Sequence, residues 1–219
     1  GTASELVSEL KEVTQEQFYP NRVTRDLVRN GYTLRKYGIE AKESDFAEFV
    51  GCGETRYVGG VAEKYGVPYC PEMKRYLYEC YGEHVREEAN IPDGVLDVLH
   101  TLRTRGYKLA VCSSADRVKV LMNLSAIGAD ETLFDRLVTG TDIRNPKPDP
   151  EIYLTGAAGL GLAPADCIVV EDAPSGIRAA HAAGCRAIGL STSFPAQYLR
   201  EQAQPDYLLP DLKSILTML

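Results

Sequence analysis

The spacing of hydrophobic and polar positions changes near residue 91. Before this point, apolar residues recur every three to four positions, which is the period of an amphipathic α-helix. Gly or Pro closes several of the segments, as in YGI and YGVP. The pattern predicts an N-terminal helical extension or remnant over 1–20 and a small helical domain over 21–90. The predicted helical segments are 4–19, 22–39, 43–50, 55–65 and 71–89.

From residue 91 onward, short runs rich in β-branched residues alternate with helical stretches. The predicted strands are 108–112, 136–139, 167–170, 186–190 and 206–209. The predicted helices are 94–105, 115–126, 150–161, 175–183, 195–203 and 211–218. Strands that are apolar throughout are typical of a parallel sheet covered by helices on both faces. We therefore predict an α/β fold, with a doubly wound, Rossmann-like core domain over 91–219 and the helical domain as a separate cap.

Composition narrows the possible partners. The chain has 219 residues, 44% of them hydrophobic and 25% charged, which is typical of a globular protein. Its net charge is −7 and no basic run exceeds two residues, so we expect a small-molecule ligand rather than nucleic acid. No apolar stretch is long enough to span a membrane, the first residues are unlike a signal peptide, and the six cysteines are scattered. These features favour a cytoplasmic protein with reduced thiols; the oligomeric state cannot be inferred from them.

Three predicted strands are followed by polar residues at their carboxyl ends, where such sheets bind ligands. Ser113 and Ser114 follow the first strand, just before a helix whose exposed N–H groups favour an anion. Lys147 stands between two prolines after the second strand and offers a held positive charge for phosphate. Glu171 and Asp172 follow the third strand and supply the hard oxygen ligands that Mg²⁺ prefers.

Each of these features also has a simpler explanation. Ser113 and Asp172 could cap the helices that follow them, and Lys147 could be a solvated lysine in a loop stiffened by proline. The combination of a hydroxyl, a lysine and an acidic pair at successive strand ends is less easily explained in that way. It predicts a site for a phosphoryl group and a magnesium ion.

The sequences CSS, NPKPDPEIYLTGAAGLG and CIVVEDAPSGIRAAHAAGCRAIGL carry a resemblance to a known family. They strongly resemble the haloacid dehalogenase-like hydrolases, in the branch that contains β-phosphoglucomutase and phosphoglycolate phosphatase. The resemblance covers 91–219, and the helical region before it fits the cap domain of that branch in size and placement. It implies an Mg²⁺-dependent phosphatase or phosphomutase that acts on a small phosphorylated metabolite through an aspartyl-phosphate.

The resemblance also implies roles for individual residues. Ser113 would bind phosphate through its hydroxyl, Ser114 would offer a backbone N–H, and Lys147 would neutralise the phosphoryl group. Glu171 and Asp172 would serve the metal ion. In the cap, the sequence FVGCGETR lies where relatives carry the loop that selects the substrate. Gly51 and Arg56 in this segment are therefore candidates for contact with substrate, although the segment departs from the Gly-x-Ser-Arg pattern common in relatives.

A second departure concerns the nucleophile. Members of the family attack phosphorus with an aspartate on the first, central strand, in an Asp-x-Asp motif, and the 219 residues contain no such pair. No apolar strand precedes the helical region either, so the central strand is expected to be missing, through truncation or as a native feature. Three hypotheses follow: a phosphatase or mutase whose nucleophile strand is absent from this chain, an inactive relative that binds phosphorylated ligands or a protein partner, and a metal-free 2-haloacid dehalogenase. The acidic pair argues against the last of these.

Overall fold

The computed structural model describes residues 32–49, 54–88 and 91–219. They form two compact units, one made of 91–120 and 127–219, the other of 32–88 together with 121–126. The predicted extension over 1–20 lies outside the described residues. The α-helices are α1 (Tyr32–Arg35), α2 (Glu54–Lys64), α3 (Pro71–Glu88), α4 (Val95–Thr104), α5 (Arg117–Ala126), α6 (Glu151–Leu160), α7 (Pro174–Ala183) and α8 (Ala196–Ala203). The strands are β1 (Ala110–Cys112), β2 (Arg136–Val138), β3 (Ile168–Glu171), β4 (Arg186–Leu190) and β5 (Tyr207–Leu209).

The helical unit is organised around apolar faces that recur at helical spacing. Phe46, Val61 and Leu77 come from three successive segments and are each at most 2% exposed. Helices α2 and α3 lie where the spacing predicted them. The predicted helix over 43–50 is instead a 3-10 helix, Glu43–Phe49.

The strands of the other unit all pair in parallel, as the sequence predicted. Strand β1 pairs with β2, while β4 lies between β3 and β5. The described strands therefore form two sheets, β1-β2 and β3-β4-β5. Helices pack on the sheet residues: Ile177 of α7 is buried in one cluster with Ala187 of β4, and Val98 of α4 is buried in another with Ile188. Alternating strands and helices in this arrangement confirm the predicted α/β class.

The end of the chain differs from its prediction. Residues 211–218 were expected to form an α-helix, but the chain forms a short 3-10 helix, Lys213–Thr217. Asp211 accepts hydrogen bonds from both the N–H and the hydroxyl of Ser214, at 2.9 and 2.8 Å, and so closes a tight turn. This local bonding competes with the regular α-helical pattern. No helix among the described residues is long and apolar enough to cross a membrane.

Asp206 ties the start of β5 to its neighbours. Its Oδ2 atom accepts hydrogen bonds from the N–H of Ala187 at 2.7 Å and from His181 Nε2 at 3.0 Å. The hydrogen bond from Ala187, and to a smaller extent that from His181, holds the pKa of Asp206 below its ordinary value. A carboxylate with a lowered pKa stabilises the folded state at neutral pH and loses that contribution as the pH falls.

We therefore expect Asp206→Asn to lower the free energy of unfolding by about 1 kcal/mol at pH 7. The difference from wild type should begin to shrink below about pH 4, where the unfolded chain takes up a proton on this carboxylate, and should vanish below the lowered pKa of the folded protein. Urea denaturation at pH 7 and pH 3.5 measures both values. Exposed Asp93→Asn is the matched control and should change neither. An equal loss at both pH values would contradict the assigned charge effect.

The described cysteines are all free thiols. Burial raises the pKa of both Cys112 and Cys185 to about 11. Both thiols are therefore protonated at neutral pH.

Candidate functional site

The turn after β1 is held in place by main-chain bonds. The N–H of Ser113 donates to Val138 O at 2.9 Å, and the Ser113 hydroxyl accepts from the N–H of Ala115 at 3.2 Å. Gly140, after β2, donates its N–H to Ala115 O at 2.8 Å. A Cβ atom at Gly140 would collide with the carbonyl oxygen of Ser114, so a glycine lets the two turns approach each other. The two serines predicted to bind phosphate therefore lie on a turn that is held by contacts with the end of β2 and with Gly140.

The loop that carries Lys147 is fixed by an acidic residue of the following helix. Glu151, the first residue of α6, accepts hydrogen bonds from the N–H groups of Arg144 and Asn145 at 3.0 and 2.8 Å. The side chain of Lys147 is 13% exposed and forms an ion pair with Glu171. Its Nζ atom also lies 3.4 Å from Cys112 O, the carbonyl that ends β1. Lys147 thus links the carboxyl ends of β1 and β3.

Glu171 uses both carboxylate oxygens within the protein. Oε1 accepts from Lys147 and, at 2.9 Å, from the hydroxyl of Tyr153. Oε2 accepts from the N–H groups of Asp172 and Ala173, both at 3.1 Å. Burial alone would raise the pKa of Glu171, but the Lys147 ammonium and these hydrogen bonds hold it below its ordinary value. Glu171 is therefore an ionised anchor for Lys147.

Asp172 is in a different electrostatic state. Burial raises its pKa, and the negative charge of Glu171 adds to the effect, while the hydrogen bond from Ser193 Oγ at 2.5 Å opposes it. A raised pKa means that the negative charge on this carboxylate is only partly compensated by its surroundings. A bound cation would supply the missing compensation.

The structure brings four of the predicted residues to one end of the sheets. Ser113 follows Cys112, the last residue of β1, and the Cys112 carbonyl contacts Lys147. Lys147 forms an ion pair with Glu171, which precedes Asp172 in the sequence. Ser114 follows on the exposed side of the same turn. The arrangement combines a hydroxyl, an ammonium group and a partly compensated carboxylate, which suits a phosphoryl group bound together with a divalent cation.

The donor set fits Mg²⁺ through one residue rather than two. Asp172 has the partly compensated carboxylate that a metal ion would bind, whereas the oxygens of Glu171 are engaged by four protein donors. Mg²⁺ often takes only one or two protein carboxylates and fills its other positions with water and substrate phosphate. Among the described residues, no group of three or more His, Cys, Asp or Glu side chains could by itself enclose a metal ion.

The structure says little about Gly51 and Arg56, the two residues of the helical region that were predicted to contact substrate. Gly51 lies outside the described residues. Arg56, in α2, is exposed and forms an ion pair with Glu63 at 3.0 Å, and its guanidinium lies 5.2 Å from the ring centroid of Phe49. These contacts are those of a residue on the surface of the helical unit, and its role towards substrate stays a prediction.

Three residues that help to build the site were not predicted from the sequence. Tyr153 places its ring 4.9 Å from Lys147 Nζ as well as binding Glu171. Ser193 binds Asp172 from a loop 21 residues further along the chain. Gly176 leaves room for the Glu171 carboxylate, which a Cβ atom would overlap. The run PEIY places Tyr153 at the start of a helix, and that position was the only signal available for it.

Comparison with known proteins supports a single family. A family model described as haloacid dehalogenase-like hydrolase matches residues 26–190, well over half of the chain. The chloroplastic Protein SUPPRESSOR OF QUENCHING 1 of Arabidopsis thaliana is 37% identical over 81% of the chain. Validoxylamine A 7'-phosphate phosphatase of Streptomyces hygroscopicus subsp. limoneus is 40% identical over 56%, and phosphoglycolate phosphatase of Pasteurella multocida is 34% identical over 67%. The chain spans 17%, 56% and 65% of the lengths of these three relatives, respectively.

Solved structures share the fold. CbbY from Rhodobacter sphaeroides, in complex with phosphate, has a TM-score of 0.69 at 22% identity and covers 94% of this chain and 90% of its own. A β-phosphoglucomutase from Clostridium difficile has a TM-score of 0.64 at 20% identity and covers 92% and 86%. At these identities the similarity establishes the fold.

Proposed function

The chain belongs to the haloacid dehalogenase-like hydrolases, and on that premise we propose that its strand-end site binds the phosphoryl group of a small phosphorylated metabolite for Mg²⁺-dependent hydrolysis or transfer. The observation that carries the proposal is the position of Lys147. Its buried ammonium group joins the end of β1, where the serines lie, to the end of β3, where the acidic pair lies. Relatives named as phosphatases of phosphoglycolate and validoxylamine phosphate support the substrate class.

Each residue has a separate task in this proposal. The Ser113 hydroxyl and the N–H of Ser114 bind phosphoryl oxygens, and Lys147 offsets their negative charge. Glu171 keeps the ammonium group in place through its fixed carboxylate. Positioned charges of this kind stabilise a transition state because they do not need to reorganise as the reaction proceeds.

Asp172 is the residue that would hold Mg²⁺. The ion would supply charge compensation for the phosphoryl oxygens and for the Asp172 carboxylate. Ser193 would keep that carboxylate oriented through its hydrogen bond. This role for a hydroxyl that touches a ligand but not the metal is typical of metal sites in proteins.

A direct test measures phosphate binding and phosphate release separately. Isothermal titration with inorganic phosphate, with and without Mg²⁺, reports the site, and release of phosphate from phosphoglycolate and a panel of sugar phosphates reports turnover. We expect Mg²⁺ to strengthen phosphate binding by at least tenfold and EDTA to abolish the gain. Phosphate binding that is absent, or equal in Mg²⁺ and EDTA, would overturn the proposal.

We expect Asp172→Asn to separate metal binding from folding. Because the raised pKa of Asp172 means that its charge is unfavourable in the folded state, the variant should melt above wild type when no metal is present. With Mg²⁺ at ten times its dissociation constant, wild type should gain about 3–6 °C and the variant nearly nothing. Differential scanning calorimetry checks both values. Asp93→Asn should behave as wild type, and an equal Mg²⁺ shift in Asp172→Asn would remove Asp172 from the metal site.

A second candidate function is phosphate binding without turnover. The observation that favours it is that the described site offers groups that bind a phosphoryl group, namely Ser113, Lys147 and Asp172, while covalent phosphoryl transfer also needs a positioned nucleophile. Under this alternative the titration with phosphate succeeds while every substrate in the release assay stays intact. Phosphate release by the 219-residue chain would exclude this alternative, whereas binding without release agrees both with it and with a phosphatase whose nucleophile strand is absent from this chain.

A further inference from the structure

Two cysteines stand opposite each other where β3 and β4 begin. Cys167 directly precedes Ile168 and Cys185 directly precedes Arg186, and Ile168 and Arg186 are register partners in this parallel strand pair. The N–H of Arg186 donates to Cys167 O at 3.3 Å, so the main-chain pairing already includes Cys167. One residue earlier on each strand, Cys167 and Cys185 are therefore neighbours across the pair.

Both cysteine side chains lie on the same face of the sheet. Side chains alternate between the two faces along a strand, and residues in register share a face. Val169 and Ala187 come two residues after the cysteines and are buried in one apolar cluster; Cys185 is buried in the same cluster, and Cys167 packs against it. Ile188, at the alternate position of β4, belongs to a different cluster. The two thiols are therefore directed to the same side of the strand pair.

The spacing of the strands suits a covalent bond between the two sulfur atoms. Neighbouring strands are about 4.8 Å apart, which is the expected distance between the Cα atoms of Cys167 and Cys185. Cysteines joined by a disulfide have Cα atoms roughly 4.4–6.8 Å apart, so the strand spacing falls within that range. Burial is the main cause of the raised pKa of Cys185, and the nearby thiol of Cys167 adds to it, as expected for adjacent sulfur atoms.

The two thiols differ in their access to solvent. Cys167 is half-buried, whereas Cys185 is 5% exposed. The Cys167 thiol donates a hydrogen bond to Ala163 O at 3.5 Å, and a thiol is a weak donor that a reaction at sulfur can displace. A small oxidant therefore reaches Cys167 first, and Cys185 is placed to react with the product formed there.

Cys112 is the alternative partner for either thiol. Burial is the main cause of its raised pKa, and the thiols of Cys185 and Cys167 also raise it, so all three lie in one region. Cys112 ends β1, however, and among the described residues β1 pairs with β2 and not with β3 or β4. Strand register therefore places Cys167, rather than Cys112, beside Cys185.

We propose that Cys167 and Cys185 form a site of reversible oxidation, at which a peroxide converts the two thiols into a disulfide that joins the starts of β3 and β4. This site lies at the opposite end of β3 from Glu171, roughly 13 Å away at about 3.3 Å per residue. It is separate from the phosphate site, and the proposal does not depend on the proposed function.

The chemistry takes place in two displacements at sulfur and oxygen. The Cys167 thiolate attacks hydrogen peroxide, so that an S–O bond forms, the O–O bond breaks and the released hydroxide takes up a proton to become water. Cys185 then attacks the sulfur of the resulting sulfenic acid, an S–S bond forms as the S–O bond breaks, and a second water leaves. In sum, two thiols lose two electrons and two protons, and one peroxide is reduced to two waters.

Peptide mapping of the unaltered chain tests the disulfide directly. Trypsin places the two cysteines on separate peptides, 145–178 and 179–186, because Lys147 precedes a proline and is not cut. The chain is treated with hydrogen peroxide at about pH 8.5, where thiols begin to ionise, and the monomer is isolated. Remaining thiols are alkylated in denaturant, and the digest is analysed by mass spectrometry without reduction.

We expect the two peptides to appear joined, with a mass two hydrogens below their sum, and to separate after treatment with dithiothreitol. Peptides that stay separate at every peroxide concentration would overturn the proposal. A bond between 179–186 and the peptide 109–117, which carries Cys112, would overturn it as well.

Two variants separate the assigned pair from the alternative. In Cys167→Ala the buried Cys185 loses the partner on which peroxide acts first, so its thiol should be consumed at least tenfold more slowly than in wild type. Cys112→Ala keeps the pair and should form the joined peptides at the wild-type rate, at a temperature where circular dichroism shows that it is folded. Equal consumption of Cys185 in Cys167→Ala and wild type, or no joined peptides in Cys112→Ala, would overturn the pairing.

The melting temperature tests whether the native fold accommodates the bond. The disulfide would close a loop of about 20 residues that includes α7, and such a crosslink restricts the unfolded chain. We expect the oxidised monomer to melt roughly 5 °C or more above the same protein after reduction. Cys167→Ala, carried through the same peroxide treatment, should show no rise. A melting temperature of the oxidised protein at or below that of the reduced protein would contradict a bond formed in the native arrangement.

Discussion

Lys147→Met is expected to abolish phosphate binding and to destabilise the protein at the same time. The substitution removes the ammonium group that would offset the phosphoryl charge, and it leaves the Glu171 carboxylate, 11% exposed, without its ion-pair partner. Breaking a buried ion pair by removing one member costs about 3–5 kcal/mol. We expect a loss of that size in chemical denaturation and at least a hundredfold loss of phosphate affinity in titration.

The double variant Lys147→Met with Glu171→Gln separates the two effects. Glutamine keeps an acceptor for the main-chain donors but removes the stranded charge, so most of the stability should return. Phosphate affinity should stay low, because the positive charge is still absent. Exposed Lys213→Met is the control for loss of a lysine and should match wild type. Near-normal phosphate affinity in Lys147→Met, or its return in the double variant, would remove Lys147 from the phosphate site.

Gly140→Ala is expected to disturb the serine turn through the main chain. Its Cβ atom would overlap the Ser114 carbonyl oxygen and lie 3.2 Å from Ala115 O, so backbone atoms rather than a flexible side chain must move. We expect the free energy of unfolding to fall by about 1–3 kcal/mol, the range for overpacked sites. Phosphate affinity should fall at least tenfold, because the turn that presents Ser113 shifts.

Gly82→Ala is the matched control for this substitution. Gly82 lies within α3, and its added Cβ would meet only the flexible side chain of Met122, the terminal methyl at 3.2 Å and the sulfur at 3.5 Å. Alanine is favoured over glycine inside a helix by about 1 kcal/mol, so this variant should be as stable as wild type or more stable. Wild-type phosphate affinity in Gly140→Ala, measured at a temperature where it is folded, would show that the turn does not position the phosphate ligand.

Much of the α/β unit could be predicted from the sequence because its signals are local. Runs such as KLAVC and CIVV are short, apolar and bounded by polar residues, and each became a parallel strand at the predicted place. The polar residues after these strands had to share one edge, since parallel strands end on the same side. This is why Ser113, Lys147 and Asp172 could be grouped before any distance was known.

The parts that could not be predicted depend on contacts between distant segments. Glu171 and Asp172 have the same charge and are adjacent in the sequence, yet Lys147 and main-chain donors engage one while Ser193 binds the other. The opposite pKa shifts of the two carboxyls follow from those partners, and no local sequence pattern predicts the shifts. The predicted helix over 211–218 failed for a related reason, since a single Asp211 side chain closed a tighter turn.

The raised pKa values of Cys112 and Cys185 make the rate of thiol labelling informative about the fold. Alkylating reagents attack the thiolate, and at neutral pH very little of either residue is in that form while it is buried. Cys185 is also buried, so its labelling must wait for the surrounding structure to open, and its labelling rate counts opening events rather than surface encounters. Mass spectrometry of a timed labelling reaction would thus measure the rate of local opening in this unit without any substitution in the chain.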